Sequence, residues 1–288
     1  MVTDTYTACS FWRNQRYSPV ARIKFIVYHN YMNRSDKFRI KKYQVLSPKI
    51  KTPVRIAQVS DLHEKEFGEN NRFLFEAVEG LKPDMIAITG DMVYDTYTKQ
   101  PNDAYIGNVA AWAPKVAPSF FVTGNHERIW PEYVKDIFVQ NGVTVLENCF
   151  AAFTKGDTII DVGGVEDPTV DKRGYEKLRF PDDDRFHLLL AHDPAPFSFG
   201  YTQTGADLIL CGHTHGGQIR FPGGKAIVSP GDHRPFPKYS DGLYTNGKIQ
   251  MIISMGLGVS VIPFRMFTPR EVLLIHLLPE NNKRKDDK

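Results

Sequence analysis

The sequence predicts an α/β protein of layered sheets with helices outside, and three observations point there. Short apolar runs of buried-strand type alternate with helical stretches through the first half of the 288 residues. The second half carries hairpin signals instead. Polar clusters follow the apolar runs at their carboxyl ends, the place where α/β sheets gather ligands. Stacked sheets flanked by helices bury the apolar face of every element. At 42% hydrophobic, the chain holds enough apolar mass for one large domain or two small ones.

Residues 1–36 lack clear periodicity and read as a basic N-terminal arm. Between Arg13 and Ser60 twelve Lys/Arg face a single acid, Asp36, so the rest of the chain is net negative although the whole carries +3. With Trp12, Tyr17, Phe25, Tyr28 and Tyr31, the arm suits an anionic membrane surface. A solvated extension is the plainer reading, and no motif supports a nucleic-acid partner. The longest apolar run of the arm, Phe25 to Tyr28, is too short to span a bilayer or to serve as an export signal, whose apolar stretch needs about 7–15 residues. The expectation is a cytoplasmic protein, peripheral to a membrane at most. Three cysteines, Cys9, Cys149 and Cys211, give no disulfide framework, and Cys211 reads as a small buried hydrophobe.

The main domain is expected over residues 37–280, with a charged tail at 281–288. Residues 54–59 and 85–89 read as strands, as do the short apolar runs 120–123, 187–191 and 208–211. A helix is expected over about 71–81, a second behind the capping pair Asn102-Asp103, and a third from Pro131, a favourable first helical residue, to near Gly142. Lys155-Gly156-Asp157, Pro222-Gly223-Gly224 and Asn246-Gly247 each separate strand-like runs, and Asn-Gly is the strongest of these turn signals. Residues 272–278 look like a closing strand.

Chemistry is concentrated just past these strands. Asp61-Leu62-His63 follows the first, Gly90-Asp91 the second, Gly124-Asn125-His126-Glu127 the third, His192-Asp193 the fourth and Gly212-His213-Thr214-His215-Gly216-Gly217 the fifth. Five strands thus aim carboxylates, imidazoles and one amide at a single crevice. If the backbone stays extended, Asp61 and His63 point to one side, and so do His213 and His215. The glycines at 90, 124, 212, 216 and 217 keep bulk away and permit tight turns. Imidazole, carboxylate and amide donors without thiolate favour Mn, Fe or Zn. Each piece alone is weak: an Asp-x-His is more often a solvated strand end, and Gly-Asp a plain turn. All five in this order are specific.

These motifs resemble the signature of the calcineurin-like metallophosphoesterase superfamily over about residues 37–278. The extended Gly-His-Thr-His-Gly-Gly-Gln, with Gly256-Leu257-Gly258 and Pro263-Phe264-Arg265, resembles a bacterial branch that includes cell-envelope phosphoesterases and enzymes cleaving UDP-diacylglucosamine. The resemblance implies a four-layer α/β/β/α sandwich and two divalent metal ions per chain. It implies that Asp61, His63, Asp91 and His215 hold one ion and Asp91, Asn125, His192 and His213 the other, with Asp91 bridging. It further implies hydrolysis of a phosphodiester or pyrophosphate bond by a metal-bridging hydroxide.

His126, next to Asn125, is the candidate general acid or phosphate-oxygen donor, since imidazoles in general titrate near neutrality. Asn125 and His126 are thus the candidate substrate contacts. The plainer reading of His126 is a residue that only orients Asn125. Glu127 and Asp193 are candidates for fixing a ligand histidine, and Arg128 and Arg265 for gripping phosphate; side chains that point away and surface salt bridges are the plainer readings. His187 and His276 read as packed strand residues, and Asp182-Asp183-Asp184 as a solvated turn. Phe67, Tyr94, Tyr97, Trp130, Tyr175 and Phe236 are expected around the pocket rim. The substrate expected is a phosphorylated small molecule or a lipid-linked phosphate. Two other classes stand beside the enzyme: a catalytically silent scaffold of this fold, and a peripheral membrane-binding protein. The scaffold would be expected to lack a ligand or the bridging carboxylate, and here all positions are filled.

Overall fold

The computed structural model describes residues 37–94, 100–222, 224–229, 235–260 and 264–280. The expected arm at 1–36, the tail at 281–288 and Tyr97 lie outside the described residues. Two six-stranded mixed sheets carry the fold. In the first, the strand order is β1 (Arg39–Ser47), β14 (Glu271–Pro279), β2 (Val54–Val59), β3 (Met85–Thr89), β4 (Ser119–Val122) and β5 (Thr144–Val145). In the second it is β12 (Gly242–Asn246), β13 (Ile249–Ile253), β9 (Leu208–Cys211), β8 (Phe186–Leu190), β7 (Thr158–Gly164) and β6 (Cys149–Lys155).

The run β2, β3, β4, β5 is parallel, and so is β7, β8, β9, β13. Parallel strands buried on both faces are nearly continuous apolar runs, and β3, β4, β8 and β9 read that way apart from Thr89, Ser119 and His187. Three helices make the crossovers and edge connections of the first sheet: α1 (Arg72–Gly80), α2 (Asp103–Val116) and α3 (Pro131–Gln140). Asn102 caps α2 as expected, its side chain accepting from the Tyr105 N–H at 3.2 Å.

Alternation along β2 shows how the layers close. Ala57 and Val59 face the helices, packing with Leu74, Val78, Val109 and Val134. Val54 and Ile56 face the second sheet, packing with Ile160, Leu188, Leu208 and Ile252. Burying a Leu, Ile or Phe in either layer contributes about 1.5–3 kcal/mol. The outer face of the second sheet is covered by Leu178, Phe180, Phe197 and Tyr201. These lie on loops and short 3-10 turns (Gly174–Glu176, Ala195–Ser198, Tyr201–Gln203), so the fourth layer is thinner than an α-helical one.

Both hairpins with fully described turns form as expected, β6–β7 across Gly156-Asp157 and β12–β13 across Gly247-Lys248. The basic run identified in the sequence is only partly an arm. Arg39, Lys41 and Lys42 belong to β1, which pairs in parallel with β14, and Arg55 belongs to β2. Beneath the strand ends, Gln58 Nε2 of β2 donates to Thr89 Oγ1 and to the Cys211 carbonyl, both at 2.9 Å. This buried amide locks the carboxyl ends of β2, β3 and β9 together across the two sheets. No helix among the described residues is long and apolar enough to cross a membrane.

Candidate metal centre

Strands β2, β3, β4, β8 and β9 deliver their following loops to one place. Donor atoms of Asp61, His63, Asp91 and His215 lie within 4.8 Å of one another, and those of Asp91, His192 and His213 do likewise. Asn125 joins the second group: its Oδ1 sits 3.2 Å from His192 Nε2 and 2.8 Å from His213 Nδ1. Asp91 belongs to both groups, with Oδ2 at 3.1 Å from His192 Nε2 and 3.6 Å from His63 Nε2.

The backbone route to this arrangement differs from the extended one expected from spacing. Asp61, His63, Asp91, His213 and His215 all have positive φ, between 47° and 70°. Each chain turns in the left-handed region just past its strand, which is how Asp61 and His63 come to face the same pair of groups. Such conformations are uncommon for non-glycine residues and cluster at functional sites. Backbone bonds between loops hold them: Asp61 N–H donates to the Gly90 carbonyl and His63 N–H to the Asp91 carbonyl, both at 3.0 Å. Gly124 is required for contact, because a Cβ there would fall inside the Asp91 carboxylate.

Glu127 organises the centre without touching the side chain of a candidate ligand, which corrects the role expected for it. Its buried carboxylate accepts backbone N–H groups from Gly124 (2.6 Å), Met92 (2.7 Å), Asp91 (2.9 Å) and Val93 (3.3 Å). It thereby ties the loop after β3 to the loop after β4. Burial and the neighbouring Asp91 charge push its pKa up to about 7, against the pull of those donors. Asp193 also leaves the histidines alone; its carboxylate accepts from Ala195 N–H at 2.8 Å. Arg128 donates to the Asn125 carbonyl at 3.2 Å.

Arg265, whose role the sequence left open between phosphate contact and surface pairing, instead grips the centre from the side. It donates to the carbonyls of Gly258 and Met255, both at 2.7 Å, and its Nη2 lies 3.0 Å from His215 Nδ1.

The ring nitrogens themselves test whether cations fit. His192 Nδ1 lies 2.7 Å from the Thr89 carbonyl and His63 Nδ1 3.2 Å from the Val93 carbonyl. A carbonyl only accepts, so each Nδ1 carries hydrogen and each Nε2 points inward. Inside, those nitrogens meet carboxylate and amide oxygens, and His63 Nε2 lies 3.1 Å from His215 Nε2. Electron-rich atoms converging at this density need positive charge between them.

Without cations, protons supply it. Burial alone would lower His192, but the Asp91 carboxylate outweighs it and holds the imidazolium well above its usual range. Burial would raise Asp91, and His192 instead carries it well below the usual carboxylate range. Burial keeps His63 down to about 3 and His215 well below normal, so both stay neutral. Burial raises Asp61. The donor set fits divalent cations, and loading must displace the His192 proton. Mn affinity of stripped protein, measured by titration calorimetry, is therefore expected to rise with pH through the neutral range, by about tenfold per pH unit while that proton is still held. An affinity independent of pH would contradict this proton count.

His126 lies at the mouth of the centre. Its backbone N–H donates to Asp91 Oδ1 at 2.8 Å, and its ring packs edge-on to His63 with centroids 4.5 Å apart. Of the aromatics expected at the rim, Tyr94 is there, exposed and 5.9 Å from the His126 ring. Phe67 is not: it is fully buried in the helix-side core. Tyr175 packs edge-on to Tyr201 and Phe199 on the outer face of the second sheet. Away from the centre, Asp183 is no bare solvated turn. It accepts from Arg185 Nε at 2.7 Å and faces His187 Nε2 at 3.2 Å, beside buried Asp161.

Residues 54–217 match the family model described as calcineurin-like phosphoesterase, and the chain belongs to that family. It is a metal-dependent phosphoesterase, a hydrolase of phosphoester bonds. The uncharacterized metallophosphoesterase YkuE of Bacillus subtilis (strain 168) is 28% identical over 234 residues, 79% of this chain and 80% of its own length. Phosphodiesterase YaeI of Escherichia coli (strain K12) is 27% identical over 235 residues, 78% of this chain and 83% of its own. A solved structure of the phosphopantetheinyl hydrolase PptH from Mycobacterium tuberculosis aligns with 80% of this chain and 98% of its own at 13% identity and a TM-score of 0.45.

Proposed function

We propose that this chain hydrolyses a phosphodiester or pyrophosphate bond at a centre of two divalent cations, Mn, Fe or Zn. Asp61, His63, Asp91 and His215 would hold one and Asp91, Asn125, His192 and His213 the other. The observation that carries this reading is Asp91, whose carboxylate belongs to both donor groups. Bound there, a cation pair supplies Lewis-acid polarisation of phosphoryl oxygens and an acidified water as nucleophile.

The chain's own residues do the rest. Asn125 stands between His192 and His213 and presents its amide to the same space. The His126 ring, packed against His63 and Tyr94, is placed to donate to a phosphate oxygen or to the leaving oxygen. Glu127 keeps the loops from shifting as charge develops, so that the donors need no reorganisation. The relative named a phosphodiesterase supports a diester over a monoester. The scaffold reading has no observation in its favour, since every donor position is filled and buried or half-buried.

A panel of bis-p-nitrophenyl phosphate, p-nitrophenyl phosphate and UDP-sugars, with Mn, Zn or Fe added to stripped protein, tests the reaction class. Faster turnover of the diester than of the monoester is expected. A preference for the monoester would overturn the diester reading, and turnover of neither phosphate nor UDP-sugar with any metal would favour the scaffold.

A further inference from the structure

We propose that the flap following the histidine loop is a docking surface for an anionic lipid bilayer. The flap is β10 (Ile219–Arg220) and β11 (Ala226–Val228), bridged on one side to Met266 and on the other to Pro235. It starts directly after His215-Gly216-Gly217, and Arg265 on its flank bonds His215. Whatever the flap touches is therefore brought beside the candidate metal centre.

Its surface is built against solubility. Phe221, Phe236, Phe264, Met266 and Phe267 are all exposed, Phe236 by 61% and Phe267 by 59%. Single exposed apolar residues need no explanation, but five on one small hydrogen-bonded unit do. Phe236 and Phe267 also hold φ of 58° and 56°, a backbone region that bulky side chains rarely adopt and that thrusts each ring out of a tight bend.

Charge identifies the occupant. Lys225 and Lys238 are exposed on the same unit. Among the described residues from 216 to 270, Asp241 is the one acid before Arg270, and it is already paired with Arg220. Among the described residues these protruding phenylalanines stand with Lys225 and Lys238 and without an unpaired carboxylate, which suits an interface of acyl chains and anionic headgroups. The inference rests on residues 219–267 alone and does not depend on the catalytic reading.

The test is co-sedimentation of the full chain with phosphatidylcholine vesicles, with and without phosphatidylglycerol. Binding is expected only with the anionic lipid. Phe236→Ser with Phe267→Ser is expected to weaken it at least about tenfold while the thermal melt stays at the wild-type value. Lys225→Ala and Lys238→Ala are expected to weaken it about fivefold each at low salt. Should the phenylalanine pair lower the melt, the lysine variants decide. Wild-type protein left in the supernatant would overturn the proposal. So would phenylalanine or lysine variants that bind as tightly as wild type, because binding would then belong to another surface.

Discussion

Asp91→Ala is expected to lose roughly a thousandfold or more in turnover of a small phosphodiester, with a fold that still assembles. The scale follows from the several kcal/mol of transition-state charge stabilisation that a cation pair supplies. The location follows from geometry, since this one carboxylate stands against His63, His126 and His192 together. Without it, Asp61, His63 and His215 are left as one half-site and Asn125, His192 and His213 as another, with nothing to draw two cations close. Loss of the carboxylate also strands the His126 backbone N–H and the His192 imidazolium. Elemental analysis of the reloaded variant should find fewer metal equivalents than in wild type. Two tight equivalents in the variant, or turnover within a few-fold of wild type, would refute the bridging assignment.

His126→Gln is expected to lower kcat by roughly a hundredfold to ten-thousandfold, the usual worth of a positioned proton donor, while both metal equivalents remain. Separation of the two readouts is possible because the hydrogen bond from His126 to Asp91 comes from its backbone, which glutamine preserves, while its ring stands 4.0 Å from Asp91 Oδ2 without bonding it and packs on His63. If His126 only orients Asn125, metal content and turnover should fall together. Full activity with both metals present would end the catalytic role.

The legible part of this fold was the buried parallel strands. β2, β3 and β9 fall on the apolar runs read from the sequence, and β4 and β8 begin one residue earlier than expected. The first strand was not legible. Arg39–Ser47 mixes Arg and Lys with Ile, Tyr and Val, because an edge strand carries charge on its open side. The thin fourth layer was equally hidden, since loop residues such as Leu178 and Phe197 cover a sheet without any helical period.

At the candidate centre the motifs revealed which residues converge but not how. Asp61-x-His63 reads as extended chain, yet both residues sit in left-handed turns fixed by bonds to Gly90 and Asp91, far away in sequence. Glu127 was visible as a neighbour of candidate ligands, but its four backbone partners depend on the meeting of two loops. Arg265 lies fifty positions from His215, and only the fold of the flap brings the two within 3.0 Å.

Anomalous difference density from crystals of Mn-loaded protein tests most directly the proposal that two cations share Asp91. Two peaks roughly 3.5–4 Å apart are expected, one among Asp61, His63, Asp91 and His215 and the other among Asp91, Asn125, His192 and His213. A single peak, or peaks that leave Asp91 outside the coordination of either ion, would contradict it.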